Sequence, residues 1–249
     1  AGALHAIGRE GAPPTPPLNL LGDYAGGTMF LAWGIACALI EAQRSGKGQV
    51  VDAAMVDGVA VLMTALYGLL GGNLHNGPRG TNTLDSGAPY YEAYECADGG
   101  FVSIAPIEHR FRELLVARLG PEAEGLPDLD DRSKWPQAKA QLAAIFRKRT
   151  RREWCELFEG SDACFAPVLD PLEAPSHPHN RARGTFTEID GVVQGMPAPR
   201  FSRTPPGVPS GPEKPGASGG ALAADWGIPS NRLETLVGAG VIGPGSKDR

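Results

Sequence analysis

LNLLGDYAGGTMF, residues 18–30, sets one acid, Asp23, after a mostly apolar lead-in and just ahead of a glycine pair. The run continues to residue 44 as DYAGGTMFLAWGIACALIEAQR, apolar almost all round and closing on Glu41 and Arg44 before SGKG. That pattern predicts a helix beginning at Asp23 and buried on most of its faces. Asp is among the most favoured N-capping residues, so a structural role accounts for it. A carboxylate at a helix start is also a candidate catalytic acid, since Gly26 and Gly27 would leave the backbone there open to a close ligand. The two roles are compatible.

Beyond this helix, QVVDAAM (residues 49–55) predicts a short β-branched strand, and residues 56–70 a second apolar helix closed by Gly71 and Gly72. The hydrophobic period changes at Ala88. APYYEAYEC and GGFVSIAPI flank ADGG at residues 97–100, a strong hairpin signal. Residues 108–119 return to helical spacing, with Phe111, Leu114, Leu115 and Leu119 on one face. Residues 131–146 and 151–158 predict an amphipathic helix pair, CFAPVLD (164–170) a strand, and PLEAPSHPHN (171–180) a turn or short helix. Two more strands are expected in 184–201 and a last helix in 226–241. The reading is α/β: a helix-rich part over 1–87, a small α+β domain over 88–204, a Pro/Gly-rich linker over 205–220 and a C-terminal segment over 221–249.

Composition narrows the function classes. The 249 residues suffice for a sizeable core, and 42% hydrophobic with 20% charged is ordinary for a globular chain. A formal charge of −5 with scattered basic residues argues against a nucleic-acid partner. The apolar runs contain glycine or are too short to cross a bilayer, so no membrane association is expected and the localisation expected is cytoplasmic. Cys37, Cys96, Cys155 and Cys164 form no CxxC pair and have no His at a metal-ligand spacing. They read as buried thiols in a reducing compartment. RSGKGQ follows a helix rather than preceding one and is not a phosphate cradle, and RKRTRRE (147–153) reads as a solvated inter-helix turn. The opening AGALHAIGREG has no Met and resembles the end of an element already under way, so the sequence is expected to lack an N-terminal part.

Glu108 ends the apolar strand FVSIAPI and begins a helix. A strand-end acid commonly lines a cleft, and a solvated capping turn explains the same position. His109, beside Arg110, reads as a surface residue, and His177 and His179 as parts of a turn.

LNLLGDYAGGTMFLAWGIACALIEAQRSGKGQVVDAAMVDG (18–58) resembles the core segment of the family III CoA-transferases. GAPYYEAYECADGGFVSIAPIE (87–108), SDACFAPVLD (161–170) and MPAPRFSRTPP (196–206) match it in order, so the resemblance covers residues 1–206. It is nearest to the branch that racemises 2-methylacyl-CoA thioesters in lipid and fatty-acid metabolism. The resemblance implies the family fold of interlocked homodimers, here an N-terminally truncated large domain plus the small α+β domain. It implies that Asp23 is one half of an acid–base pair in the racemases, where the transferases use the same residue as a nucleophile. Glu108 is implied to support the partner histidine, which the family carries in a Gly-His-Asp segment; that carboxylate favours the racemase branch. No histidine of this sequence stands in such a segment, so the sequence by itself is expected to be inactive. Tyr24, Gly26 and Gly27 are the implied substrate-binding residues, facing an enolate oxygen, and CoA enters as part of the substrate with no metal or other cofactor.

Overall fold

The computed structural model describes residues 1–212, 214, 216 and 218–243. They divide into two compact units, Ala1–Val168 and Leu169–Arg249. The change of period at residue 88 lies inside the first unit.

In the first unit a short helix α1 (Ala3–Ala6) and an irregular stretch lead to Leu20, where a π-type helix, Leu20–Thr28, runs directly into α2 (Met29–Ser45). The helix therefore begins before Asp23, with Asn19 at its N-cap, and the expected capping role of Asp23 is corrected. Gly46, at φ 74, ends α2 with its amide donating to the carbonyl of Ala42. Residues 47–54 are irregular and join no ladder among the described residues, and Val50 is 95% exposed. The strand expected at QVVDAAM is absent because no neighbouring edge is there to pair with it. The second apolar helix is two, α3 (Met55–Leu62) and α4 (Thr64–Gly71), which meet at Met63.

The polar-turn chemistry of ADGG does make a hairpin. β1 (Glu92–Glu95) and β2 (Phe101–Ile104) pair antiparallel with Tyr94 opposite Val102. β3 (Phe165–Val168) adds to the other edge of β2, giving the order β1-β2-β3. Helices α5 (His109–Leu119), α6 (Trp135–Phe146) and α7 (Arg151–Phe158) cover one face. Thr150 and Glu153 form a capping box at the start of α7. The core between sheet and helices holds Tyr94, Val102, Ile104, Leu115, Leu142, Phe146, Trp154 and Phe158, all nearly inaccessible. Tyr94 stacks on Phe146 at 5.2 Å, and the buried indole of Trp154 donates to the carbonyl of Phe146 at 2.8 Å. On α5 only Leu115 and Leu119 of the expected face are buried, while Leu114 remains exposed.

The buried carboxylate of Glu92 ties this sheet to the N-terminal stretch through an ion pair with Arg9 and to α6 through Lys139 at 2.6 Å. Burial acts to raise its pKa, but the hydrogen bonds from Arg9, Lys139 and the Ala93 amide outweigh it and hold the carboxyl below its ordinary range.

The apolar helix is not buried as expected. No residue of α2 is buried, and Met29, Trp33, Leu39 and Ile40 are exposed. Nothing among the described residues of this unit buries those side chains. Leu20–Ser45 is also 26 residues of helix, long and apolar enough to cross a membrane by length and composition, although it is one of the glycine-containing runs. The thiols depart from expectation too: Cys96 is buried, but Cys37 on α2 and Cys164 before β3 are exposed.

The second unit holds α8 (Pro178–Arg183), the hairpin β4 (Phe186–Ile189) and β5 (Val192–Gly195), α9 (Gly219–Asp225) and α10 (Ser230–Gly238). Asp190 and Gly191, both at positive φ, supply the two-residue turn of that hairpin. The expected last helix over 226–241 is thus shorter and has α9 before it. Residues 213, 215 and 217 of the expected linker, and 244–249 of the C-terminal segment, lie outside the described residues.

Candidate active site

Asp23 stands inside the π-type helix. The Tyr24 amide donates to Asn19 and the Met29 amide to Tyr24, each five residues back. This wide turn is uncommon and is found disproportionately at functional sites. The Thr28 hydroxyl donates to the main-chain carbonyl of Asp23 at 2.9 Å, which leaves the side chain uninvolved in the local turn. Asp23 is exposed, and its carboxylate has no hydrogen-bond or ion-pair partner among the described residues.

Asp23 is one of the residues that line a cleft of about 450 Å³. One wall is the N-terminal stretch, from Ala1 to His5 and from Pro16 to Leu18. The opposite wall is apolar, made by Met55, Val56 and Val59 of α3. His5, to which the sequence assigns no role, lines the same cleft.

Gly26 and Gly27 do something other than expected. Both are buried against α3: a Cβ on Gly26 would stand 2.5 Å from Val59 Cγ2, and one on Gly27 3.1 Å from Met55 Cγ. Gly58 on α3 faces back, its Cβ position only 1.9 Å from the carbonyl oxygen of Gly26. The glycines therefore let two helices cross at backbone contact, and that crossing sets Asp23 beside the α3 wall. The donors expected from an open helix start at Tyr24–Gly27 are not free there, because the helix began earlier and the Tyr24 amide is already bonded. The Tyr24 side chain is half-exposed and stands next to Asp23 in the sequence.

Glu108 caps α5 with extended backbone (φ −78, ψ 139), and its exposed side chain makes no capping bond. Its loop is fixed on both sides: Pro106 is fully buried, and the Ala105 amide donates to Cys164 at 2.9 Å. Arg112 donates to the carbonyls of Pro106 and Ile107. Desolvation and then the Glu108 carboxylate push the neighbouring Cys164 thiol above its ordinary range. His109 is exposed, 3.6 Å from Glu113 and 3.7 Å from Asp130, as a surface histidine would be. Glu108 does not line the Asp23 cleft, so this chain does not bring the two acids together. No cluster of three metal-ligating side chains occurs among the described residues.

The sequence model of CoA-transferase family III matches residues 1–217. The chain is 46% identical over 216 residues to the alpha-methylacyl-CoA racemase of Mus musculus, covering 86% of this chain and 56% of the mouse protein. It is 44% identical over 211 residues to the Homo sapiens protein of the same name, covering 84% of this chain and 55% of that one. The chain thus spans little more than half the length of these relatives. Among solved structures, a CAIB/BAIF family protein from Brucella suis superposes with a TM-score of 0.71 at 21% identity, over 90% of this chain and 60% of that one. That likeness extends to the fold what the mid-identity relatives establish for the sequence.

Proposed function

Because the chain belongs to CoA-transferase family III, we propose that it carries one half, Asp23, of the acid–base pair of an enzyme that epimerises 2-methylacyl-CoA thioesters. The observation that carries this reading is Asp23, its carboxylate unpaired among the described residues, lining a cleft with one apolar wall, within a stretch at mid identity to two racemases. Asp23 removes the C2 proton, the electron pair of the C–H bond passes into the thioester as an enolate, and a proton returns to the opposite face. Epimerisation needs a second group there. The family resemblance assigns it to a histidine of a Gly-His-Asp segment, with Glu108 orienting the imidazole and matching its basicity to the task. The reaction moves only protons, so CoA within the substrate is the sole coenzyme the proposal needs.

The rest of the proposal concerns assembly. Asp23 and Glu108 lie apart in one chain, which supports a site completed by a second copy in a homodimer. The bare apolar faces of α2 are suited to such an interface. The family match runs through Leu20–Ser45, so that helix is read as covered core of an assembly in the cytoplasm rather than as a membrane span.

In the transferases Asp23 would instead attack the thioester and hold the acyl group. Mass analysis of the peptide containing Asp23, after incubation of the natural protein with a 2-methylacyl-CoA, separates the two roles. The expected result is an unmodified peptide. An acyl or CoA adduct on Asp23 would reject the acid–base role.

A further inference from the structure

We propose that Arg79 is a positioning residue for the reaction at Asp23: its guanidinium clamps the carbonyls of His5 and Ala12 and fixes the stretch that walls the Asp23 cleft. The inference rests on the function proposed above. That wall has little regular structure, and the Tyr67 hydroxyl, which donates to the carbonyl of Ala1 at 3.1 Å, holds its first residue. Its only regular element is the four-residue α1, followed by irregular chain to Leu18.

Arg79 Nη1 donates to His5 at 2.8 Å, and Nη2 donates to Ala12. The two carbonyls lie seven residues apart in the sequence, so one planar fork joins the chain just before, and a point within, a loop that the Thr15 amide closes on Ile7 at 2.9 Å. Gly8, at φ 141, makes room for the arginine: a Cβ there would stand 3.1 Å from Nε and 3.2 Å from Cδ. Nε is buried with no hydrogen-bond partner. An orphaned buried donor is unfavourable, so the two Nη bonds, and not the needs of the whole guanidinium, set its orientation.

The loop that carries Arg79 is itself rigid. Asn82 is fully buried and donates to Gly77, Pro78 and Asp85. Asp85 in turn accepts from the Gly80 amide at 2.9 Å and the Asn82 amide at 2.7 Å. Arg9, paired with buried Glu92, ties down the same loop one residue beyond Gly8. A rigid donor loop, a two-pronged side chain and an irregular segment form a chain of contacts that ends at the cleft.

The test compares Arg79→Ala and Arg79→Lys with wild type in the natural protein carrying this sequence. It follows amide hydrogen exchange over residues 3–15, C2 deuterium exchange of a 2-methylacyl-CoA, the thermal midpoint, and the effect of added guanidinium. Both variants should expose the Ile7 and Thr15 amides to faster exchange at an unchanged thermal midpoint. Both should lower kcat about 10- to 100-fold, as sub-ångström to 1 Å misplacement does, with a smaller change in KM. Guanidinium should restore part of kcat to Arg79→Ala and none to Arg79→Lys, because a lysine fills the site but offers no fork. Unchanged amide protection overturns the proposal, and so does faster amide exchange with normal kcat. A fall in kcat that tracks the thermal midpoint without guanidinium rescue reduces Arg79 to a structural contact and overturns it equally. Asp23→Asn runs alongside: if that variant keeps C2 exchange, the functional reading fails while the amide measurements still decide the clamp.

Discussion

Asp23→Asn is expected to abolish exchange of the C2 proton of a 2-methylacyl-CoA thioester, a loss of about 10²–10⁴-fold for removal of a general base. The amide matches the carboxylate in size and has no basic oxygen lone pair of comparable strength, so the cleft keeps its shape. The geometry makes this substitution clean. The Asp23 side chain has no partner among the described residues, and the turn is held by main-chain bonds together with the Thr28 hydroxyl. Neither the π-type turn nor the α3 crossing depends on the carboxylate. Deuterium uptake from heavy water should therefore vanish while calorimetric binding of the CoA ester is largely retained. Uptake at the wild-type rate would remove Asp23 from the mechanism.

Gly58→Val should be the most damaging change in the helical part of the chain. Its Cβ would fall 1.9 Å from a backbone oxygen, and backbone, unlike the end of a flexible side chain, cannot step aside. The helices must part, which unpacks Val59 and Met55 from Gly26 and Gly27. The expected loss is at or beyond the upper end of the about 1–3 kcal/mol that overpacking typically costs. Urea unfolding reads it as a lower midpoint, and C2 exchange should fall with it because the α3 wall leaves Asp23. Gly68→Ala on α4 is the control, since its Cβ meets nothing within 4 Å. Equal stability of Gly58→Val and wild type would contradict the crossing.

What was legible in the sequence was what short-range chemistry determines. The ADGG turn at residues 97–100 marks the β1–β2 hairpin, and the two strands expected in 184–201 and the helix expected over 151–158 are present as β4, β5 and α7. For Glu108 the helix side of the reading holds, since it is the N-cap of α5, but the strand expected to run up to it stops at Ile104. Asp23 as a cap was a misreading with a physical cause. Capping preference describes where an α-helix starts, whereas this helix starts at Leu20 in a wider winding that the preference does not describe. Gly26 and Gly27 were visible as small residues, but their partner Gly58 is about thirty residues away, and spacing within one helix says nothing of a second. Arg79 gave no signal at all, since its acceptors are carbonyls near the other end of the first segment. The bare faces of α2 show the same limit from the other side: an apolar pattern predicts burial without naming what does the burying.

The most direct measurement of the central claim is proton NMR of one (R)-2-methylacyl-CoA in heavy water, with the natural protein and no carboxylic acid acceptor. Acid–base chemistry at Asp23 predicts that the C2 proton signal disappears and the (S)-thioester appears carrying one deuteron at C2, with CoA never leaving its acyl group. A C2 signal that persists until a free carboxylate is added, followed by transfer of CoA to that carboxylate, would contradict it.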